Sequence, residues 1–156
     1  MEIFKNNTDP YKNYNDGRMK HLEILQYVIS RMGSNSFSIK GWTVVLFSGF
    51  MIFFFKEVDK YFWYSPLLLL VIISAWAFDS YFLRLERGFR KQYDSVARME
   101  STCLPFEIKP ILSDTFWKVF FSKSLLAFYI TLIIVFAIFL FVYLLTNFSI
   151  QFEPKV

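Results

Sequence analysis

The amino-acid sequence predicts an all-α integral membrane protein: three transmembrane helices, a cytoplasmic N-terminal amphipathic helix and a cytoplasmic extension of the second span. Three observations lead there. Hydrophobic residues fill 55% of the 156 positions, above the roughly 45–50% of soluble domains. Phe alone supplies 21 residues, more aromatic surface than one small core can bury, whereas lipid can receive it. Three apolar runs carry almost no charge, and the basic residues gather on one side of them.

Residues 1–17 hold polar residues, Pro10 and Gly17 without an apolar period, and read as a loosely attached arm. No apolar h-region or lipidation motif is seen near the start, so the first hydrophobic segment is expected to be a retained anchor. From Arg18 to about Gly33, Leu22, Leu25, Ile29 and Met32 recur at helical steps, with Lys20, Glu23 and Arg31 on other faces. This helix either packs on its own protein or lies on the membrane surface. Arm and helix together fill residues 1–40.

The first span covers about 41–57. Its uncharged stretch, Gly41 to Phe55, rises about 22 Å against a hydrocarbon core of roughly 30 Å. Lys40 and Lys56 can snorkel from its ends, and Trp42 suits an interfacial belt. The second span, 62–83, carries one charge, Asp79, behind the aromatic cluster Tyr61 to Tyr64, with Pro66 tolerable in a first turn. The short link around Lys56 to Lys60 makes the two spans an antiparallel hairpin.

The charged run Arg84 to Arg98 continues the second helix. Phe82, Leu85, Phe89 and Val96 extend an apolar stripe through it, and Glu86–Arg90, Arg90–Asp94 and Asp94–Arg98 are spaced for mutual support. Pro105 and Pro110 then break the helix, so 84–123 reads as a cytoplasmic helix and loop. Ser113 or Asp114 is expected to cap the next helix, which carries Trp117, Phe120 and Phe121. The third span is 124–146, without a formal charge, and 147–156 is an extracytoplasmic tail. Of 17 Lys and Arg, 14 fall in the N-terminal arm and the second loop, and 3 in the link and tail. That asymmetry puts the N-terminus inside and the C-terminus outside.

Composition narrows the chemistry. The lone Cys103 allows no intrachain disulfide, and neither it nor the lone His21 has a partner at metal or catalytic spacing. Ser34, Ser36 and Ser38 lack a recognisable base, and no Gly-rich phosphate loop or paired acids in a soluble pocket occur. The sequence therefore predicts no enzyme, no catalytic residues, no metal and no cofactor.

Two groups stand out. A carboxylate inside a span faces protein or water rather than lipid. Asp79 is matched by Lys40 at the same level of the hairpin, so an intramembrane Lys40–Asp79 ion pair is the structural reading, and an ion or proton pathway the functional one. Arg84, Arg87, Arg90 and Lys91 form a basic cluster at the inner leaflet. It serves topology and anionic lipid, or else binds an anion or a partner, such as a phosphate-bearing nucleotide. Gly41, Ser48, Gly49, Ser74, Ala75, Ala77 and Ser80 allow close helix approach, within the hairpin or between copies in a homo-oligomer.

Several fragments also carry a resemblance. Ser34-Asn35-Ser36-Phe37 with Lys40-Gly41-Trp42, then Asp79-Ser80-Tyr81-Phe82-Leu83 with Glu86-Arg87, Phe89-Arg90 and Tyr93, and later Ser124 and Phe128-Tyr129, resemble a widespread family of small bacterial membrane proteins. The resemblance covers about residues 20–145; Phe82 stands where a second Tyr is common. Members look like membrane components of mobile, defence-type gene clusters, in which a soluble sensor accompanies a membrane effector. The resemblance implies an effector of anti-phage defence in the bacterial inner membrane, oligomerising and compromising that membrane, for instance as a pore, on a cytoplasmic signal. The alternative is a non-toxic anchor or sensor subunit recruiting a soluble cytoplasmic partner. A small channel or transporter subunit would rest on Asp79 alone. The partners expected are the lipid bilayer, further copies of the chain, and a cytoplasmic protein or nucleotide signal, with no direct nucleic-acid contact.

Overall fold

The computed structural model describes residues 10–56, 62–98 and 107–151. Every regular element among the described residues is a helix, and none is a strand. Helix α1 runs Pro10–Lys56, a short 3-10 turn covers Phe62–Tyr64, and α2 runs Ser65–Ala97. A one-turn helix, α3, spans Phe116–Phe120, and α4 follows at Lys123–Gln151. Helices α1, α2 and α4 are each long and apolar enough to cross a membrane. The middle of the hairpin link, Cys103, Pro105 and the last residues of the tail lie outside the described residues.

Helix α1 is one helix of 47 residues, about 70 Å long at 1.5 Å per residue. The sequence suggests a loosely attached arm to Gly17, a short amphipathic helix from Arg18 to about Gly33, and then a span from about Gly41; α1 runs through all three stretches from Pro10 without a break. Gly33, Ser34, Asn35 and Ser36 each lower helix propensity by no more than about 1 kcal/mol, and no proline interrupts them. Packing against α2 along this stretch outweighs that penalty. Helix α2 likewise passes from its apolar half into the charged run without a break, reaching Ala97. Pro66 lies in its first turn, where a missing N–H is harmless.

The two helices run antiparallel. Met51 and Phe47 share a core with Leu68 and Ile72, Lys40 meets Asp79, and Arg18 reaches the far end of α2. There the Arg18 guanidinium donates to the carbonyls of Val96 (3.2 Å) and Ala97 (2.6 Å), filling acceptors that a helix C-terminus leaves open. Helix α4 joins through aromatic rings. Phe54 meets Phe139 and Tyr143, and Phe50 meets Phe136. Trp76 of α2 stacks on Tyr129 of α4 at 5.5 Å and on Phe120 of α3 at 4.3 Å, and its indole N–H donates to the Phe120 carbonyl at 3.0 Å. One tryptophan thus ties three helices together. Other aromatics, among them Phe53, Phe78 and Phe141, point outward, as a lipid-facing surface permits.

Not every small residue serves this packing. A Cβ placed on Gly41 or Gly49 would meet nothing within 4 Å. Ser74 and Ala75 line an open apolar groove of about 400 Å³ between α1 and α2, bordered by Trp42, Leu46, Leu70 and Phe78.

Candidate functional site

The site has two parts, both built on α2. The first is a polar node inside the apolar bundle. Asp79 is fully buried, where an unpaired carboxylate would be strongly disfavoured. The structure places Lys40 Nζ 2.6 Å from its Oδ2. The Ser36 hydroxyl donates to Oδ1 and the Tyr129 hydroxyl to Oδ2 at 3.1 Å. Lys40 also donates to Ser36 Oγ at 3.0 Å. Ser36 and Lys40 share a face of α1 because they are four residues apart, and Thr43, one turn further, donates its hydroxyl to the Ile39 carbonyl at 2.7 Å. The carboxylate therefore takes hydrogen bonds from two neighbouring helices at once. Such an arrangement fixes helix register: moving either α1 or α4 along α2 would strip a buried anion of a partner.

The second part is a clasp at the charged end. Residues 107–115 run as a non-helical strap across α2, with a tight turn where Ser113 donates its N–H to the Ile111 carbonyl at 3.0 Å. They cross at Gly88, where an added Cβ would lie 2.9 Å from Pro110 Cβ and 3.1 Å from Leu112 Cδ2. The close approach lets Ile111 donate its N–H to the Gly88 carbonyl at 3.2 Å. Gln92 donates to the Glu107 carbonyl and Lys91 to Ser113 Oγ. Arg84 Nε donates to the Asp114 carbonyl at 2.9 Å. The Asp114 carboxylate accepts from Lys118 at 3.1 Å and faces Arg87 at 3.8 Å.

Ser113 and Asp114 are thus not helix caps. Thr115 occupies the N-cap of α3, without a side-chain cap bond. Ser113 instead accepts from Lys91 of α2 and the Asp114 carboxylate from Lys118 of α3, cations whose charge outbids a neutral backbone N–H. Helix α3 stops after one turn. Ser122 then turns the chain into α4, its carbonyl accepting the Leu126 N–H at 2.9 Å.

The cations named from sequence divide. Arg84, Arg87 and Lys91 gather around the strap, while Arg90 turns to Glu86 at 2.6 Å. Asp94 receives the Arg98 backbone N–H at 3.0 Å. Sequence reasoning missed Ser36 and Tyr129 in the node and Lys118 in the clasp. The Ser36 and Tyr129 signal lay in the motif fragments: Ser36, Lys40, Asp79 and Tyr129 all belong to them, and the fold brings them together. Among the described residues no three His, Cys, Asp or Glu side chains are grouped to hold a metal. Comparison with family models, curated proteins and solved structures gives no match.

Proposed function

We propose that this chain is a membrane effector of a bacterial anti-phage defence system, which associates with further copies in the inner membrane and compromises it when a signal reaches its cytoplasmic end. One observation carries the reading. Helices α1 and α2 both continue unbroken from the apolar bundle into the charged end, and the buried node locks them together where the two regions meet. A force applied to the clasp therefore reaches the spans with no flexible joint to absorb it. The open groove and the unused glycines Gly41 and Gly49 support association between copies, since close approach drives helix pairing in lipid. The defence setting rests on the motif resemblance alone.

Two measurements test this. A topology reporter fused after Val156 should be active only outside the cytoplasm, and one inserted between Leu112 and Ser113 only inside. The opposite pattern removes the three-span orientation on which the signal route depends. Inducible expression with a membrane-potential dye should then report depolarisation during phage infection. Steady potential together with co-purification of a soluble partner would favour the anchor or sensor role instead.

A further inference from the structure

The clasp is out of electrical balance. Among the described residues four cations, Arg84, Arg87, Lys91 and Lys118, gather at Asp114, and of these Lys118 donates a hydrogen bond to its carboxylate. Arg84 is engaged with a backbone carbonyl and Lys91 with a hydroxyl. Arg87 stands 3.8 Å away, beyond hydrogen-bonding distance, so its attraction is Coulombic. Among the described residues Glu86 is engaged with Arg90 at 2.6 Å and Glu107 with Lys109 at 2.7 Å. The Asp114 carboxyl is held below the usual carboxylate range, chiefly by the Lys118 hydrogen bond, with Lys118, Lys91 and Arg87 adding their charges against an opposing effect of burial.

The depth of the cluster is marked by aromatic residues. Trp117 and Phe121, on either side of Lys118 in sequence, are exposed and stack at 6.3 Å. Exposed Trp beside Lys is the signature of the headgroup layer. A cluster with surplus positive charge, a guanidinium able to fork, and a hydroxyl alongside matches a phosphate group.

We propose that Arg84, Arg87, Lys91 and Lys118 bind a phosphate group at the membrane boundary, in competition with Asp114 of the strap. The phosphate belongs to a lipid headgroup or to a free phosphate ester, since both present the same oxygens. Binding draws the cations from the strap, which connects α2 to α3 and α4. This names the ligand class for the input end argued above and rests on that reading.

The test uses the full chain. In detergent, inorganic phosphate is titrated against chloride at matched ionic strength and thermal unfolding is followed. In nanodiscs, phosphatidylcholine alone is compared with mixtures containing phosphatidylglycerol. Saturable stabilisation by inorganic phosphate assigns a free ester, and stabilisation by phosphatidylglycerol alone assigns a lipid headgroup; either supports the site. The pair Arg87→Gln with Lys91→Gln should abolish the effect, while Arg31→Gln, on an exposed part of α1, should leave it intact. Asp114→Asn should tighten phosphate or lipid binding about two- to fivefold, the scale of one exposed ion pair. If that variant does not fold, Lys118→Gln should weaken binding by a similar factor. No response to either probe, or equal loss in Arg31→Gln, or weaker binding in folded Asp114→Asn, overturns the site. Depolarisation is read separately: binding without depolarisation removes the effector reading and keeps the site.

Discussion

Helix α2 carries two carboxylate-centred clusters, and they solve the same problem under opposite conditions. Around Asp79 one cation and two hydroxyls meet a carboxylate with no solvent exposure. At Asp114, Lys118 and Arg87 face the carboxylate while Arg84 and Lys91 hold the strap beside it, four described cations gathered at the charged end. In the apolar bundle every unmatched charge is heavily penalised, so the node is balanced and its hydrogen-bonding capacity used. At the charged end water and counterions screen an excess of charge, so imbalance is tolerated. The difference marks the node as a lock and the clasp as the place where something else can bind.

The largest expected effect tests the lock. Asp79→Ala leaves Lys40 without its anion; breaking a fully buried pair costs about 3–5 kcal/mol. Lys40 retains 25% side-chain exposure, so the loss should fall below that range. Adding Lys40→Ala should recover part of it, as read by thermal unfolding in detergent. If the double variant equals the sum of the singles, the two residues do not interact and the comparison between the clusters collapses.

A smaller effect is expected at the crossing of strap and helix. Gly88→Ala puts a methyl group 2.9 Å from Pro110 Cβ, closer than packed atoms sit, so the strap must move. Overpacking of this kind costs about 1–3 kcal/mol. Hydrogen exchange at the Ile111 amide should accelerate, while exchange in the span around Trp76 stays unchanged. Acceleration at both places would mean that clasp and node unfold as one unit, and would sharpen the case for direct coupling between them.

What sequence reading could reach follows from range. The spans were legible because each is a long apolar run, and a lone Asp79 in such a run pointed to a cation at the same depth of the hairpin. Ser36 and Tyr129 were not, because neutral hydroxyls are common in membrane helices and these act 43 and 50 residues from Asp79. The unbroken course of α1 was hidden by Gly33 to Ser36, whose poor local propensity is overridden by a neighbour far away in sequence. Ser113 and Asp114 looked like caps because local pattern speaks to the backbone of the adjacent helix, whereas Ser113 meets Lys91 on α2 and Asp114 meets the Lys118 side chain on α3 and faces Arg87 on α2. Gly88 carries no signal of its role in local pattern, since what it admits, Pro110 and Leu112 of the strap, comes from more than 20 residues away.

The smallest effect separates the clusters by pH. Because the Asp114 carboxyl is held below its ordinary range by Lys118 and the neighbouring cations, its contribution is complete above the unfolded value of about 3.9 and is lost as pH falls through the lower folded value. Between about pH 5 and 8 the carboxylate stays ionised, so exchange of the strap amides, corrected for intrinsic rate, should be flat. Loosening should begin only in stronger acid, below about pH 4. Loosening already near neutral pH would show that the Asp114 carboxylate does not control the strap, and Asp114→Asn should then leave the profile unchanged.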